Sequence, residues 1–369
     1  MTSPLAGLKV LELARILAGP WAGQVLADLG AEVTKVESPA GDDTRSWGPP
    51  FVDNPDGTRD AAYFHACNRG KISRVIDFTT AEGQAQVRAL AADADVLIEN
   101  FKVGGLAKYG LDYASLSAIN PRLVYCSITG FGQDGPYAHR AGYDYIVQGM
   151  SGMMSLTGEP DGAPQKIGVA MADITTGLYA VIAIQAALAM RERTGRGQQV
   201  DMALLDTMVG VLANQAANYF ASGTNPPRVG NAHMNVSPYA VFETADGWFI
   251  LAVGNDGQFR RFCTAVDLAP QPEWATNAGR LEHRDALFAA ITQATRRFAR
   301  DELLGILEAA GIPAGPINTV EQALTDPQIA ARGMVLDQQP IRGLRTPIRF
   351  SDADLALDRP APRKGGGDA

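Results

Sequence analysis

The stretch from Ile167 to Met190, IGVAMADITTGLYAVIAIQAALAM, carries one charged residue, Asp173. Its composition predicts a buried helix that begins near a carboxylate. An ionised carboxylate in such surroundings is costly unless backbone N–H groups solvate it, and the start of a helix offers them. Asp173 therefore reads first as a helix N-cap. A cap, however, needs neither the long uncharged run before it nor Gly177 after it, whose missing Cβ lets another group approach. A carboxylate held for chemistry stays open beside the cap.

Other residues point to a phosphate-bearing ligand. The segment Ala14 to Gly19 can turn its backbone N–H groups toward a phosphate, although it lacks the GxGxxG dinucleotide fingerprint. Asn100 and Phe101 directly follow a strand, where parallel sheets place ligand contacts, and an aromatic ring there can stack on a base. Lys108 and Arg140 also follow strands and can meet phosphates as a point charge and as a fork. None of His65, His139, His233 and His283 has a ligand-like partner at i+4, so metal catalysis is not expected. No GxSxG elbow is present, which removes the usual serine hydrolase signature.

The elements that must position these residues alternate. Leu8 to Leu13, Glu32 to Glu37, Ser73 to Asp77, Val96 to Ile98 and Leu123 to Ile128 read as strands. Trp21 to Leu29 and Ala81 to Ala92 read as intervening helices. This rhythm predicts an α/β protein with a Rossmann-like parallel sheet in its large domain. Arg191 to Gly197 reads as a basic turn before a strand at Gln199 to Leu204. Asn218 to Asn235, rich in Gly, Asn and Pro, reads as a linker. Beyond it, VFETADGWFILAVG predicts a hairpin turning at Asp246-Gly247, followed by helices around 284–298 and 301–310, which makes a smaller α+β domain. The expected division is 1–215 for the large domain, 216–325 for the small one, and 326–369 for a return to the large one. Gly311 to Pro316 reads as a breaker cluster, and the Pro- and Gly-rich tail 359–369 as frayed.

With 369 residues, 46% of them hydrophobic, the chain can bury a sizeable core. A net charge of -8 with scattered Lys and Arg argues against nucleic acid as the main partner. No apolar run in the sequence reads as a membrane span, so no membrane partner is expected. Cys67, Cys126 and Cys263 are odd in number and lack CxxC spacing, so neither a disulfide framework nor a zinc site is expected and the cytoplasm is the expected address.

Long collinear motifs now add a resemblance. GLKVLELARILAGPWAGQVLADLGAEVTKVE, NRGK at 68–71, VLIENF at 96–101, SITGFGQDGPYAHRAGYDYIVQGMSG and TGRGQQVD at 194–201 resemble the family III CoA transferases, the formyl-CoA and carnitine type, from about residue 5 to residue 350. The resemblance implies a CoA-binding large domain, a smaller domain, and an interlocked homodimer. It implies a CoA thioester and small carboxylic acids as substrates, with no permanently bound cofactor. It also implies that Asp173 attacks the donor thioester to give a mixed anhydride, is then converted by the returning thiolate into an aspartyl-CoA thioester, and finally yields CoA to the acceptor acid. Such a carboxylate must be ionised, oriented and dry.

Carried over by position, the implied CoA contacts are Ile16, Leu17, Ala18, Ile76, Asn100, Phe101, Lys108 and Arg140. Ser38 stands where some members have Arg. Gly230-Asn231-Ala232-His233 matches the family's mobile glycine loop in a shorter form, and an extra C-terminal helix of many members has no counterpart. The segment from Gly230 to Phe259 resembles members acting on succinyl-CoA and other dicarboxylates, so Gly230, Asn231, His233, Asn235 and Tyr239, with Tyr143, are the implied acid contacts. Two other readings carry different chemistry. The related α-methylacyl-CoA racemases place a His in the slot of Tyr143, and a tyrosine is a poor base at neutral pH. A catalytically silent CoA-binding protein needs no Asp173.

Overall fold

The computed structural model describes residues 2–54 and 56–366 and divides into two units. Unit 1 comprises residues 1–154, 166–223 and 327–369; unit 2 comprises 155–165 and 224–326. The chain thus enters unit 2 briefly at 155–165, and its later crossing follows Gly223 and not the expected 215, because a helix over Asn214–Ser222 carries the chain on within unit 1. The expected linker therefore starts only after that helix, whose Asn-rich sequence resembles a loop.

Unit 1 is built on a parallel sheet. Its strands are β1 (Lys9–Glu12), β2 (Glu32–Glu37), β3 (Lys71–Val75), β4 (Val96–Glu99), β5 (Val124–Thr129) and β6 (Gln199–Ala203). Their spatial order is β3-β2-β1-β4-β5-β6, and each neighbouring pair is parallel. The order reverses between β1 and β4, which leaves a crevice at the carboxyl ends of those two strands.

Side-chain alternation feeds both faces. Val10, Val96, Ile98, Val124, Cys126 and Ile128 enter one core; Leu11, Leu97 and Tyr125, one residue out of phase, enter the other. The first core is covered by α1 (Ala18–Asp28) and the second by α2 (Ala81–Asp93). The Thr80 hydroxyl starts α2 by accepting from Gly83 N–H at 3.1 Å. Ile76, an implied CoA contact, belongs to the α2-side core at 7% exposure and packs among Leu11, Val36 and Val87. It is not among the residues that line the cleft described below.

After α3 (Asp144–Met150) comes α4 (Met171–Thr194), the helix expected around Asp173. It runs through Arg191, expected as a turn, and stops at Gly195, where φ is 72°. Arg191 stays helical because its guanidinium pairs with Asp95 at 3.0 Å. By length and composition alone α4 could cross a membrane, contrary to the expectation that no apolar run reads as a span. One of its faces packs in the α1-side core through Ala180, Ile184, Ala187 and Leu188. Leu178, Tyr179, Ile182 and Met190 are exposed, so the helix is buried on one side only.

α1 and α4 cross at close range. A Cβ on Gly177 would come within 2.7 Å of the Ala18 carbonyl oxygen, so only glycine fits there. The tail is tied rather than frayed over its described part: Pro360 O accepts from Gly70 N at 3.3 Å, Pro362 O from Arg45 Nη2 at 3.2 Å, and Gly365 N donates to Ser73 Oγ at 3.0 Å. Residues 367–369 of that tail lie outside the described residues.

Unit 2 holds the predicted hairpin, β7 (Tyr239–Glu243) and β8 (Trp248–Ala252), with Phe242 opposite Phe249. A third strand, β9 (Ala314–Pro316), pairs with β8 from within the expected breaker cluster. An edge strand tolerates its terminal proline. Phe249, Phe259, Phe262, Leu287, Ile291 and Leu303 form its core.

Candidate active site

The crevice predicted by the strand order is a cleft of about 550 Å³ lined entirely by unit 1. Ile16, Leu17 and Ala18 of the β1–α1 turn form one wall. Asn100, Phe101 and Lys108, which follow β4, form another. Arg140 and Tyr143 contribute from the segment before α3, and Asp173 from α4. Gly230, Asn231, His233 and Tyr239 belong to unit 2 and are not among the lining residues.

Asp173 is not the N-cap. It occupies the third position of α4, whose N-cap is Ala170, and makes no capping bond. That task falls to Asp144, whose Oδ2 accepts from Ala172 N at 2.7 Å and from Asp173 N at 3.4 Å. Gln148, fully buried, steadies Asp144 by donating to its Oδ1 at 2.7 Å, while its own Oε1 accepts from Ile167 N at 2.9 Å. With the first turn satisfied from outside, the Asp173 carboxylate is left for the cleft.

Burial pushes the Asp173 pKa up to about 7, with the Asp144 charge adding to the shift. Burial also pushes the Tyr63 phenol up to about 12, assisted by the charge of Asp173. A carboxylate reacts as a nucleophile only when ionised. Transfer should therefore fall about tenfold per pH unit below about 7 and level off above it. A profile of kcat/KM between pH 5 and 9 checks this, and a flat line across pH 7 would contradict it.

Four cations line the cleft: Arg15, Lys102, Lys108 and Arg140. Among the described residues, Asp173 is the only acid in the lining. Such a surplus suits a ligand with several phosphates. The Arg140 guanidinium lies 4.6 Å from the Tyr137 ring centroid, and the Lys108 ammonium 4.7 Å from that of Tyr109. Phe101 stands edge-on to Phe78 at 5.8 Å, with Arg15 over its ring at 5.4 Å. Ser38 also lines the cleft, its hydroxyl donating to Gly41 O at 3.3 Å.

Asn100 does something the sequence did not suggest. Its amide nitrogen donates to Arg15 O at 2.6 Å and its oxygen accepts from Arg15 N at 2.9 Å, so both polar ends hold the first turn. Arg15, Lys102 and Asp144 were missed as well. Arg15 and Lys102 sit just past β1 and β4, a position that already marked Asn100 and Phe101. Asp144 carried no local signal, because its partner lies 28 residues away.

In unit 2, the His233 and Tyr239 rings lie 5.3 Å apart. His233 Nδ1 accepts from Asn235 N at 3.0 Å, which leaves Nε2 to carry the proton of the neutral ring.

Comparison with known proteins gives a consistent picture. A family model described as CoA-transferase family III matches residues 5–368. A succinate–glutarate CoA-transferase of Agrobacterium fabrum is 58% identical, covering 98% of this chain and 93% of the relative. A succinyl-CoA:glutarate CoA-transferase of Mus musculus is 41% identical over 98% of this chain and 84% of its own. Among solved structures, a CaiB/BaiF family protein from Brucella suis superposes with a TM-score of 0.92 at 63% identity, covering 99% of this chain and 97% of that one.

Proposed function

The chain belongs to CoA-transferase family III and is a CoA-transferase, and from that premise we propose that it moves CoA from succinyl-CoA to a dicarboxylic acid of about glutarate size through Asp173. One observation carries the assignment: among the described residues Asp173 is the sole acid in a cleft lined by four cations, and Asp144 relieves it of the capping task. Its substrates are CoA thioesters and dicarboxylic acids.

In the proposed route the Asp173 carboxylate attacks the thioester carbonyl. The C–S bond breaks, leaving CoA thiolate and a mixed anhydride of succinate with Asp173. The thiolate then attacks the aspartyl carbonyl, expelling succinate and forming an aspartyl-CoA thioester. The acceptor carboxylate repeats the sequence in reverse, so the acceptor leaves as its CoA thioester and Asp173 is regenerated. The cationic lining holds the CoA phosphates, and the partly buried setting of Asp173 limits hydrolysis of the anhydride. The carboxylate performs the group transfer itself, so the route calls for no resident cofactor or metal. Tyr143, in the cleft wall, is the proposed contact for the acid.

The test is a panel in which succinyl-CoA is offered with mono- and dicarboxylates of two to seven carbons and the new thioester is identified by mass. Glutarate should accept best, and monocarboxylates at least about tenfold worse in kcat/KM. If no acid accepts, or if deuterium enters the α-carbon without an acceptor, the transfer reading fails.

The proposal includes an interlocked homodimer. Its support is the outward face of α4, where Ile182 is 62% exposed, and Phe220, 81% exposed, on the helix over Asn214–Ser222. Apolar surface of this kind is a protein interface signature. Sedimentation should give a dimer for the wild type and a monomer or unfolded chain for Ile182→Glu. A wild-type monomer would refute it.

A further inference from the structure

The β1–α1 turn is held from behind at three consecutive residues. Ala14 O accepts from Lys35 Nζ at 2.8 Å. Both main-chain groups of Arg15 are taken by Asn100. Ile16 N donates to Asp42 Oδ1 at 3.4 Å, and Ile16 O accepts from Cys67 Sγ at 3.6 Å. Such anchoring has a reason. Ile16 has φ 71°, and a β-branched residue is strained in the left-handed region unless its surroundings enforce it.

Asp42 does not line the cleft, whereas Ile16 does. Asp42 is 3% exposed; its Oδ1 also accepts from Thr44 N at 3.0 Å and Thr44 Oγ1 at 2.7 Å, and its Oδ2 lies 2.9 Å from Lys35 Nζ. The fully buried Lys35 ammonium thus ties Ala14 directly and Ile16 through Asp42.

We propose that Asp42, fixed by Lys35, is a positioning residue for acyl-CoA binding: it holds Ile16 in the left-handed conformation that shapes the cleft wall. The inference rests on the reading that this cleft takes the CoA thioester. Once Asp42 no longer accepts from Ile16, the isoleucine relaxes toward negative φ and the wall changes shape. Glycine holds positive φ without strain, so it should need the anchor less.

The experiment is a double-mutant cycle on the full-length protein, with CoA binding read by calorimetry, KM and kcat by turnover of succinyl-CoA, and folding by thermal unfolding. Asp42→Ala should raise the Kd for CoA and the KM for succinyl-CoA about tenfold, with kcat changed less than about threefold. In an Ile16→Gly background the same substitution should raise Kd by less than about threefold. Equal losses of affinity in both backgrounds would show that Asp42 does not act through Ile16, and a lowered melting temperature with unchanged Kd that it serves stability alone; either would overturn the proposal. Should Asp42→Ala fail to fold, Asp42→Asn, which keeps the volume and gives up the charge, is read in the same cycle. Absence of CoA binding by the wild type would sink the reading of the cleft itself, which separates the two failures.

Discussion

Asp173→Asn should lose about 10⁴-fold or more of its CoA transfer activity while folding more tightly than the wild type at pH 8. The first effect follows from the proposed covalent route, because an amide cannot form the anhydride. Wild-type protein incubated with succinyl-CoA and no acceptor should gain the mass of a CoA thioester, and Asp173→Asn should not. The second effect follows from burial. The Asp173 pKa is raised to about 7 in the folded chain, whereas an unfolded aspartate ionises near its ordinary value. The unfolded state therefore releases its proton first, and the native state loses stability as the pH climbs from about 4 to about 7. A neutral isostere escapes that loss. The melting temperature of Asp173→Asn should match the wild type at pH 4 and exceed it by a few degrees at pH 8. Retained transfer activity would remove Asp173 as the nucleophile; a lower melting temperature at pH 8 would mean that its charge is stabilised by the fold.

Glu12→Gln should cost about 3–5 kcal/mol of folding stability, the largest effect expected from any substitution outside the cleft. Glu12 is fully buried and lies between two buried ammoniums, 3.0 Å from Lys35 Nζ and 2.8 Å from Lys71 Nζ. Burial alone would lower both lysine pKa values. Glu12 and Asp42 together outweigh it at Lys35 and hold that pKa above its ordinary value, whereas Lys71, facing Glu12 and repelled by Lys35, stays below. Without the Glu12 charge, Lys71 is the group that sheds its proton, which limits the damage; Lys35 retains Asp42. Urea unfolding should show a lower midpoint at unchanged m-value. A change under 1 kcal/mol would mean that the network contributes little net stability, as some buried ion pairs do.

Glu12 also marks a limit of what the sequence discloses. The alternation of Lys9 to Leu13 announces a strand, and the strand is there. The register that puts Glu12 beside Lys35 depends on which strands pair, and local periodicity does not carry that information. The parallel sheet was legible because each strand and helix announces itself locally. So were the cleft-lining residues Asn100, Phe101, Lys108 and Arg140, because they follow strands. Asp173 was legible as an isolated charge in an apolar run, yet its composition suggested a cap. Only the tertiary contact from Asp144, far away in the chain, separates the cap from the free carboxylate. Ile76, chosen by its match to a binding motif, packs in the α2-side core and is not among the cleft-lining residues.

The crossing of α1 and α4 at Gly177 bears on how such an enzyme can change over generations. The Ala18 carbonyl and the Gly177 backbone meet without an intervening side chain, so the spacing between α4, which carries Asp173, and the β1–α1 turn is set by main-chain contact. Side chains on the cleft walls, such as Leu17 and Tyr143, can then be exchanged without moving the Asp173 carboxylate relative to that turn. Drift in the choice of acid is thereby uncoupled from drift in the chemistry, and new specificities are reachable by single replacements that leave the transfer machinery in register.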